Sequence, residues 1–253
     1  MKPFLVTCLL FITLGCFAQR TTHNLFWGRL ALADTINSKL KLELYLQKRT
    51  QNNGSGDHNI FNSNQFLSYW FWVNYAATKN ITVSVSPFGY FESYILNNSS
   101  LDAEKLPIKE YRFCARVEHM NRGKYLNFAN RYSFEFRNRD LLNDGDYKQN
   151  LRVRYMARLE KPVRGILPKP LTFTISDEIF LQFGGAVKNN PNIFDQNRLY
   201  GGAAYEVMKN VKLTVGYIYG YQERNSGEEF DHINYLWVIL TLDNLVTQFL
   251  PKR

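Results

Sequence analysis

Cysteine, histidine and proline are scarce in this 253-residue chain, at three, four and eight. Four scattered histidines make no metal-binding cluster, so neither a metal nor another cofactor is expected. Three cysteines is an odd number, and Cys8 and Cys16 fall in the first 18 residues. Without that segment only Cys114 remains, and no intramolecular disulfide can form. Signatures of an activated nucleophile are missing too: there is no Gly-x-Ser-x-Gly, and no serine sits beside a histidine as a dyad would require. Beyond the first segment no stretch approaches the ~20 consecutive apolar residues of a membrane helix. Helical periodicity is almost absent. These absences exclude a disulfide-built scaffold, a helical membrane bundle and a hydrolase with a standard nucleophile elbow.

What is present begins with residues 1–18. Lys2 precedes an apolar run, Phe4 to Phe17, that ends in Cys16-Phe17-Ala18 with small residues where a signal peptidase reads. The segment is expected to be a secretory signal peptide cut after Ala18, because it is too short to span a bilayer permanently. An acylated Cys16 fits less well, since Thr13 stands where a lipoprotein signal has a branched aliphatic residue. The signal contains one cation and no acid, so the remaining chain, a single domain over 19–253, carries 30 Lys and Arg against 22 Asp and Glu, or +8. An exported chain with no membrane helix is either soluble in the periplasm or a β-barrel.

The remaining sequence alternates with period two from end to end. In 39–49, Leu40, Leu42, Leu44 and Leu46 alternate with Lys41, Glu43, Gln47 and Arg49. In 125–139, Leu126, Phe128, Tyr132, Phe134 and Phe136 alternate with Arg131, Glu135, Arg137 and Arg139; in 147–161, Leu151, Val153, Tyr155 and Leu159 alternate with Arg152, Arg154, Arg158 and Glu160. Strands are also expected over 24–33, 65–76, 81–94, 108–119, 171–183, 197–206, 211–222 and 231–242. Their connections alternate between short turns and longer Asn, Gly and Asp-rich loops. That is the hairpin order of an antiparallel transmembrane β-barrel of the bacterial outer membrane, with short periplasmic turns and longer extracellular loops. Eleven segments conflicts with the even number usual in such barrels, so about 12 strands are expected, with ten as second choice. The aromatics, with 16 Tyr and 19 Phe in the chain, are expected to form interfacial girdles, among them Trp27, Tyr69, Trp70, Trp72, Tyr90, Tyr217, Tyr235 and Trp237.

The strongest chemical feature is the set of charges opposite the aliphatic face: Arg112, Arg116, Arg131, Glu135, Arg137, Arg152, Arg154, Arg158, Glu160, Glu178 and Arg198, together with Lys41, Glu43, Arg49, Glu110, Glu118, Arg139 and Glu206. Facing Arg and Glu on neighbouring strands satisfy one another and fill a narrow lumen. The excess of cations would also favour small anionic solutes. Nucleic acid is not an expected partner, because the cations alternate with membrane-facing aliphatics and form no stripe. The other expected partner is outer-membrane lipid, and the barrel is read as a monomer.

Three other motifs dissolve on inspection. Residues 140–146 have the outline of a calcium loop, but Leu142 and Leu151 occupy ligand positions, which leaves a hairpin loop. Gly184-Gly185 and Gly201-Gly202 lack the strand-to-helix setting of a phosphate loop and read as bends or close strand contacts. Asp177 and Glu178 are adjacent on a strand and so face opposite ways.

Several pieces together resemble a known family: Phe26-Trp27, Leu42-Glu43-Leu44 with Arg49, Tyr111-Arg112-Phe113 with Arg116, Asn130-Arg131, Glu135 to Arg137, Asn150 to Tyr155, Asp177 to Phe180, Asn197-Arg198, Gly216-Tyr217 with Tyr219, and His232. In order and spacing they are similar to the exported β-barrel proteins of Bacteroidetes-type bacteria catalogued as domain of unknown function 2490. The resemblance covers nearly all of 19–253. It implies an outer-membrane location and no established activity. A passive role is therefore expected, as a structural or surface-presenting barrel or a narrow anion-favouring channel. The alternative is a lipid-active, phospholipase-like enzyme using His119 or His232 near strand ends.

Overall fold

The computed structural model describes residues 20–54, 57–165, 167–187, 192–224 and 227–249; the expected signal peptide at 1–18 lies outside them. They form a closed barrel of eleven strands: β1 (Arg20–Thr35), β2 (Leu40–Gln51), β3 (Ser63–Ala76), β4 (Ile81–Ser93), β5 (Ile108–Arg122), β6 (Asn127–Asp140), β7 (Tyr147–Val163), β8 (Leu171–Phe183), β9 (Phe194–Met208), β10 (Val211–Glu223) and β11 (Phe230–Leu242). Each strand contains or overlaps one of the alternating segments. The expectation of about 12 strands is corrected to eleven. Consecutive strands pair antiparallel, so with an odd number the first and last run the same way, and β1 closes on β11 through a parallel ladder from Arg20↔Phe230 to Leu32↔Leu242. Among the described residues after β11 the chain makes a 3₁₀ turn at Thr247–Phe249 and no further strand.

The alternation sets which side of the wall each residue takes. In β6, Phe128, Tyr132, Phe134 and Phe136 are exposed on the outside while Ser133, Glu135 and Arg137 are buried within. A soluble β-protein would cover such a surface, whereas here large apolar side chains cover the outer wall on every side: Leu67, Phe71, Phe113, Phe136, Ile175, Tyr217 and Leu236 are all exposed. Part of the aromatic girdle is present. Rings of Tyr69, Tyr90, Tyr111 and Tyr147 follow one another across the outer wall at centroid distances of 5.3, 5.4 and 5.5 Å.

The tryptophans correct the rest of that expectation. Trp27, Trp70 and Trp72 are buried inside the barrel, Tyr235 shares one interior cluster with Trp27 against which Trp237 packs, and Trp70 and Trp72 belong to a second. Their alternation phase, read from flanking residues, puts them with the inward Arg29, Ser68 and Ile233 rather than with outward aliphatics such as Leu67 and Leu236. An eleven-stranded barrel is wider than the eight-stranded kind that ordinary side chains just fill, and these large rings occupy the added space.

Where the wall departs from regular pairing, the sequence gives the reason. Register shifts in the β3–β4 and β4–β5 ladders flank Pro87, which has no N–H to give to either neighbour. The β9–β10 connection turns at Asn210, with φ 63°, a conformation asparagine tolerates. At Gly202 a Cβ would lie 2.7 Å from the Val215 carbonyl oxygen and 2.2 Å from the Tyr200 hydroxyl, whereas at Gly201, on the outer face, it would meet nothing within 4 Å. Gly202→Ala is therefore expected to destabilise the barrel by about 1–3 kcal/mol while Gly201→Ala does not. Parallel urea titrations of the two variants test this, and equal midpoints would refute it.

Candidate functional site

The interior is built around three glutamates, each held by arginines from neighbouring strands. Near the long-loop rim Glu110 of β5 takes a two-pronged contact from Arg137, Nε to Oε1 and Nη2 to Oε2, both 2.8 Å. Arg112 Nε adds a bond of 2.7 Å to Oε1, and Arg139 lies 3.6 Å away. The register makes this possible, since Glu110 is opposite Arg139 and Arg112 opposite Arg137. Such fork-to-carboxylate pairs fix orientation as well as charge.

One layer further in, Glu135 of β6 is fully buried and touched by three guanidinium groups: Arg152 at 2.6 Å, Arg154 at 2.6 Å and Arg112 at 3.3 Å. Arg152 reaches on to Asp195 at 3.1 Å. Glu178 of β8 then receives Arg154 at 2.7 Å and Arg131 at 2.9 Å. Towards the short-turn rim Arg158 sits between Glu118 and Glu160, at 2.9 and 2.8 Å. Lys41 pairs with Asp243 at 3.0 Å beside Glu43.

Thus Arg112, Arg116, Arg131, Glu135, Arg137, Arg152, Arg154, Arg158, Glu160, Glu178 and Arg198 all lie on the inward face, and all but Arg116 and Arg198 join an ion pair with other side chains of the described residues. Glu206 does not belong with them. It lies at the short-turn rim, half exposed, where Lys169 pairs with it at 2.8 Å.

Four arginines are left over. Among the described residues Arg29, Arg49, Arg116 and Arg198 have no carboxylate within 4 Å. They rest on aromatic rings instead. Arg49 Cζ is 3.7 Å from the Trp27 ring centroid, Arg116 Cζ 3.6 Å from Trp72, Arg198 Cζ 4.8 Å from Phe180 and Arg29 Cζ 4.9 Å from Tyr45. Gln47 holds Arg29 through its Oε1, at 2.9 Å from Nη2, and the same oxygen accepts the Trp27 indole N–H at 3.1 Å. Arg29 was not legible as a site residue, because both faces of β1 carry apolar groups and the alternation there has no clear phase, and Asp195 lies just before the alternating segment expected at 197–206.

These arginines face two chambers. One, of about 480 Å³, lies towards the long loops and is lined by Arg29, Arg49, Arg112, Arg137, Arg152 and Arg198 among others. The second, of about 160 Å³, lies deeper, and Trp27, Arg29, Trp70, Arg154 and Arg198 line both.

The larger chamber has a cover. The connection from β4 to β5 turns inward, so that Leu96 packs on the interior cluster of Leu25, Trp27, Ile218, Ile233 and Tyr235. Asn97 is buried: its N–H donates to Gln51 Oε1 at 3.1 Å, and its side-chain amide to Ser63 Oγ at 2.8 Å and the Asn52 carbonyl at 3.3 Å. Beyond it Asp102 closes a 3₁₀ turn. Its bond from Lys105 first, and N–H groups of Asn98 and Ser99 after it, hold its carboxyl down to about 2. Since the folded value is below the ordinary one, this turn has its full support above about pH 4 and loses it only as pH falls towards 2.

The remaining motifs lie elsewhere. Asp140 accepts the N–H groups of Asp144 and Gly145 at 3.1 and 3.3 Å, and Asn143 and Gly145 have φ of 57° and 84°, as a hairpin loop requires. Asp177 points outward to Asn197, at 2.6 Å, away from Glu178. His119 and His232 are also on the outer face, with His232 Nδ1 hydrogen-bonded to the Tyr219 hydroxyl. Cys114 is a free, buried thiol in the interior wall.

The family model for a protein of unknown function, DUF2490, matches residues 24–231, from within β1 to the start of β11. The chain belongs to this family. The match spans all three glutamates and all four leftover arginines of this DUF2490 member. No curated protein matches the chain significantly. Among solved structures, a mutant of the ferric enterobactin receptor of Pseudomonas aeruginosa aligns at 12% identity and a TM-score of 0.31, over 74% of this chain and 35% of that one. The DUF2490 chain thus spans about a third of that receptor's length.

Proposed function

We propose that this DUF2490 member is a monomeric outer-membrane barrel, exported by the signal at 1–18, with its long loops outside and short turns in the periplasm, and that its interior admits small anionic solutes. The apolar outer wall and the closure of every strand edge support the membrane assignment, since a spanning sheet must satisfy all its backbone groups internally. The observation that carries the anion preference is the set of four guanidinium groups with no carboxylate partner, all lining the same pair of chambers. A low-dielectric wall around uncompensated cations focuses a positive potential on the passage.

Planar-bilayer recording in a salt gradient tests this. The reversal potential is expected on the anion side and is expected to move towards zero when Arg29, Arg49 and Arg198 are all changed to Gln. At 1 M salt, where screening shortens to ~3 Å, selectivity is expected to fall. Cation selectivity, or no current at any salt, would remove the proposal. The membrane assignment has its own check: a closed barrel resists SDS and migrates faster unheated than heated, and a detergent-free monomer with no such shift would overturn it.

A further inference from the structure

The deeper chamber is not simply a narrow part of a passage. Its lining includes Arg29 from β1, Arg116 from β5 and Arg198 from β9, three separate walls of the barrel. None of the three has a carboxylate within 4 Å among the described residues, and Arg116 makes no side-chain hydrogen bond with any of them. Arg131, Arg154 and Arg158 also line it, but these are paired, with Glu178, with Glu135 and Glu178, and with Glu118 and Glu160, so the surplus lies with Arg29, Arg116 and Arg198. A lumen filled only for stability would match these cations with acids, as it does around Glu110 and Glu135. Here Arg29, Arg116 and Arg198 instead lie on aromatic faces, and beyond the bonds of Arg29 to Gln47 and of Arg198 Nε to Gln196 Oε1 at 2.9 Å their N–H groups have no side-chain acceptor among the described residues. Three of the rings in the lining, Trp70, Trp72 and Trp237, have indole N–H groups with no acceptor among the described residues.

From this surplus of donors we infer that the deeper chamber is a binding site for a small, multiply charged oxyanion of the phosphate class, either free or as the head of a small monoester. The inference rests on the anion-admitting interior proposed above. Halide offers no set of directed lone pairs to several planar forks, and a carboxylate has only two oxygens; a tetrahedral oxyanion presents acceptors to three walls at once. At about 160 Å³ the chamber is smaller than the ~300–1,000 Å³ pockets that enclose drug-sized ligands, so its size suits a small oxyanion better than a nucleotide.

Equilibrium dialysis of the detergent-solubilised barrel against radiolabelled inorganic phosphate, in a large excess of chloride, tests the site. One phosphate per barrel is expected to bind. Arg116→Gln is expected to weaken it by about 10- to 100-fold, the loss of one charge-assisted contact. Because Arg116 pairs with no acid, that variant strands no buried carboxylate, and its unheated gel mobility reports whether it has folded. Lys169→Gln, at the short-turn rim and in the lining of neither chamber, is expected to leave binding unchanged. Competition by glycerol phosphate separates the two forms: displacement means that the site takes an ester head group, and its absence means that the site takes the free anion. Phosphate held no better than chloride, or held equally well by folded Arg116→Gln, would overturn the site. An anion-side reversal potential would then leave the broader reading standing, while phosphate binding without conductance would retain the site and remove the passage.

Discussion

Glu135→Gln is expected to cost the barrel about 3–5 kcal/mol, the loss that follows when one member of a buried ion pair is removed. Gln keeps the shape but deletes the charge that Arg112, Arg152 and Arg154 share, at 3.3, 2.6 and 2.6 Å. Glu135 is fully buried and Arg112 and Arg152 nearly so, so water makes up little of the lost charge. Glu160→Gln is the contrasting case. Its pair with Arg158 is more open and Arg158 retains Glu118, so a loss of at most about 1 kcal/mol is expected. Reversible urea unfolding in detergent, monitored by tryptophan fluorescence, measures both. Losses of at most about 1 kcal/mol in both variants would show that the interior tolerates unmatched charge throughout, and would leave the four carboxylate-free arginines with no special meaning.

Asn97→Ala is expected to loosen the cover over the outer chamber. The side chain contributes two hydrogen bonds, to Ser63 and Asn52. Their loss removes about 1–3 kcal/mol from docking of the loop, which raises its undocked fraction about 5- to 150-fold. The expected readouts are more frequent long openings in single-channel records and faster protease cleavage within 94–107. Unchanged records with faster cleavage would mean that the loop moves but does not obstruct the passage. Gly54 supplies a second route to the same result. It sits at φ 113°, and a Cβ there would lie 2.7 Å from the Asn98 carbonyl oxygen of the covering loop.

How much of this was legible in the sequence depends on the strand. In β2, β6 and β7, aliphatic or aromatic residues alternate with charged ones, so face and phase follow at once, and the inward arginines were identified by number. β1 gave far less. Leu25, Ala31 and Ala33 face inward and Leu30 and Leu32 outward, so no contrast of polarity marks the two sides, and Arg29 was hidden among them. Tryptophan was misplaced for a related reason: amphipathic rings suit both a membrane interface and a wide lumen lined by guanidinium, and composition does not separate the two. The strand number failed on a general rule. The segments counted were right, and the preference for even numbers suggested one more. Pairings between charges more than 40 residues apart, such as Arg131 with Glu178 and Arg152 with Asp195, needed the register of several strands at once and could not be read from any one segment.

The parallel closure has a mechanical meaning. Ten of the eleven ladders join neighbours in sequence, and each can form locally as a hairpin. The eleventh joins residues about 210 positions apart, Arg20 with Phe230 and Leu32 with Leu242, in the slanted and slightly weaker parallel geometry. The sheet therefore has a mainspring-like joint: it can curl strand by strand, and becomes a ring only when this last edge-to-edge contact is made. Inside that joint His23 meets Asp231 at 3.1 Å, with Arg224 on the same carboxylate at 2.7 Å, and Trp27 packs against Tyr235 and Trp237. These side-chain clasps lie where the backbone alone binds least, so the line between β1 and β11 is both where the ring is completed and where it would first come apart.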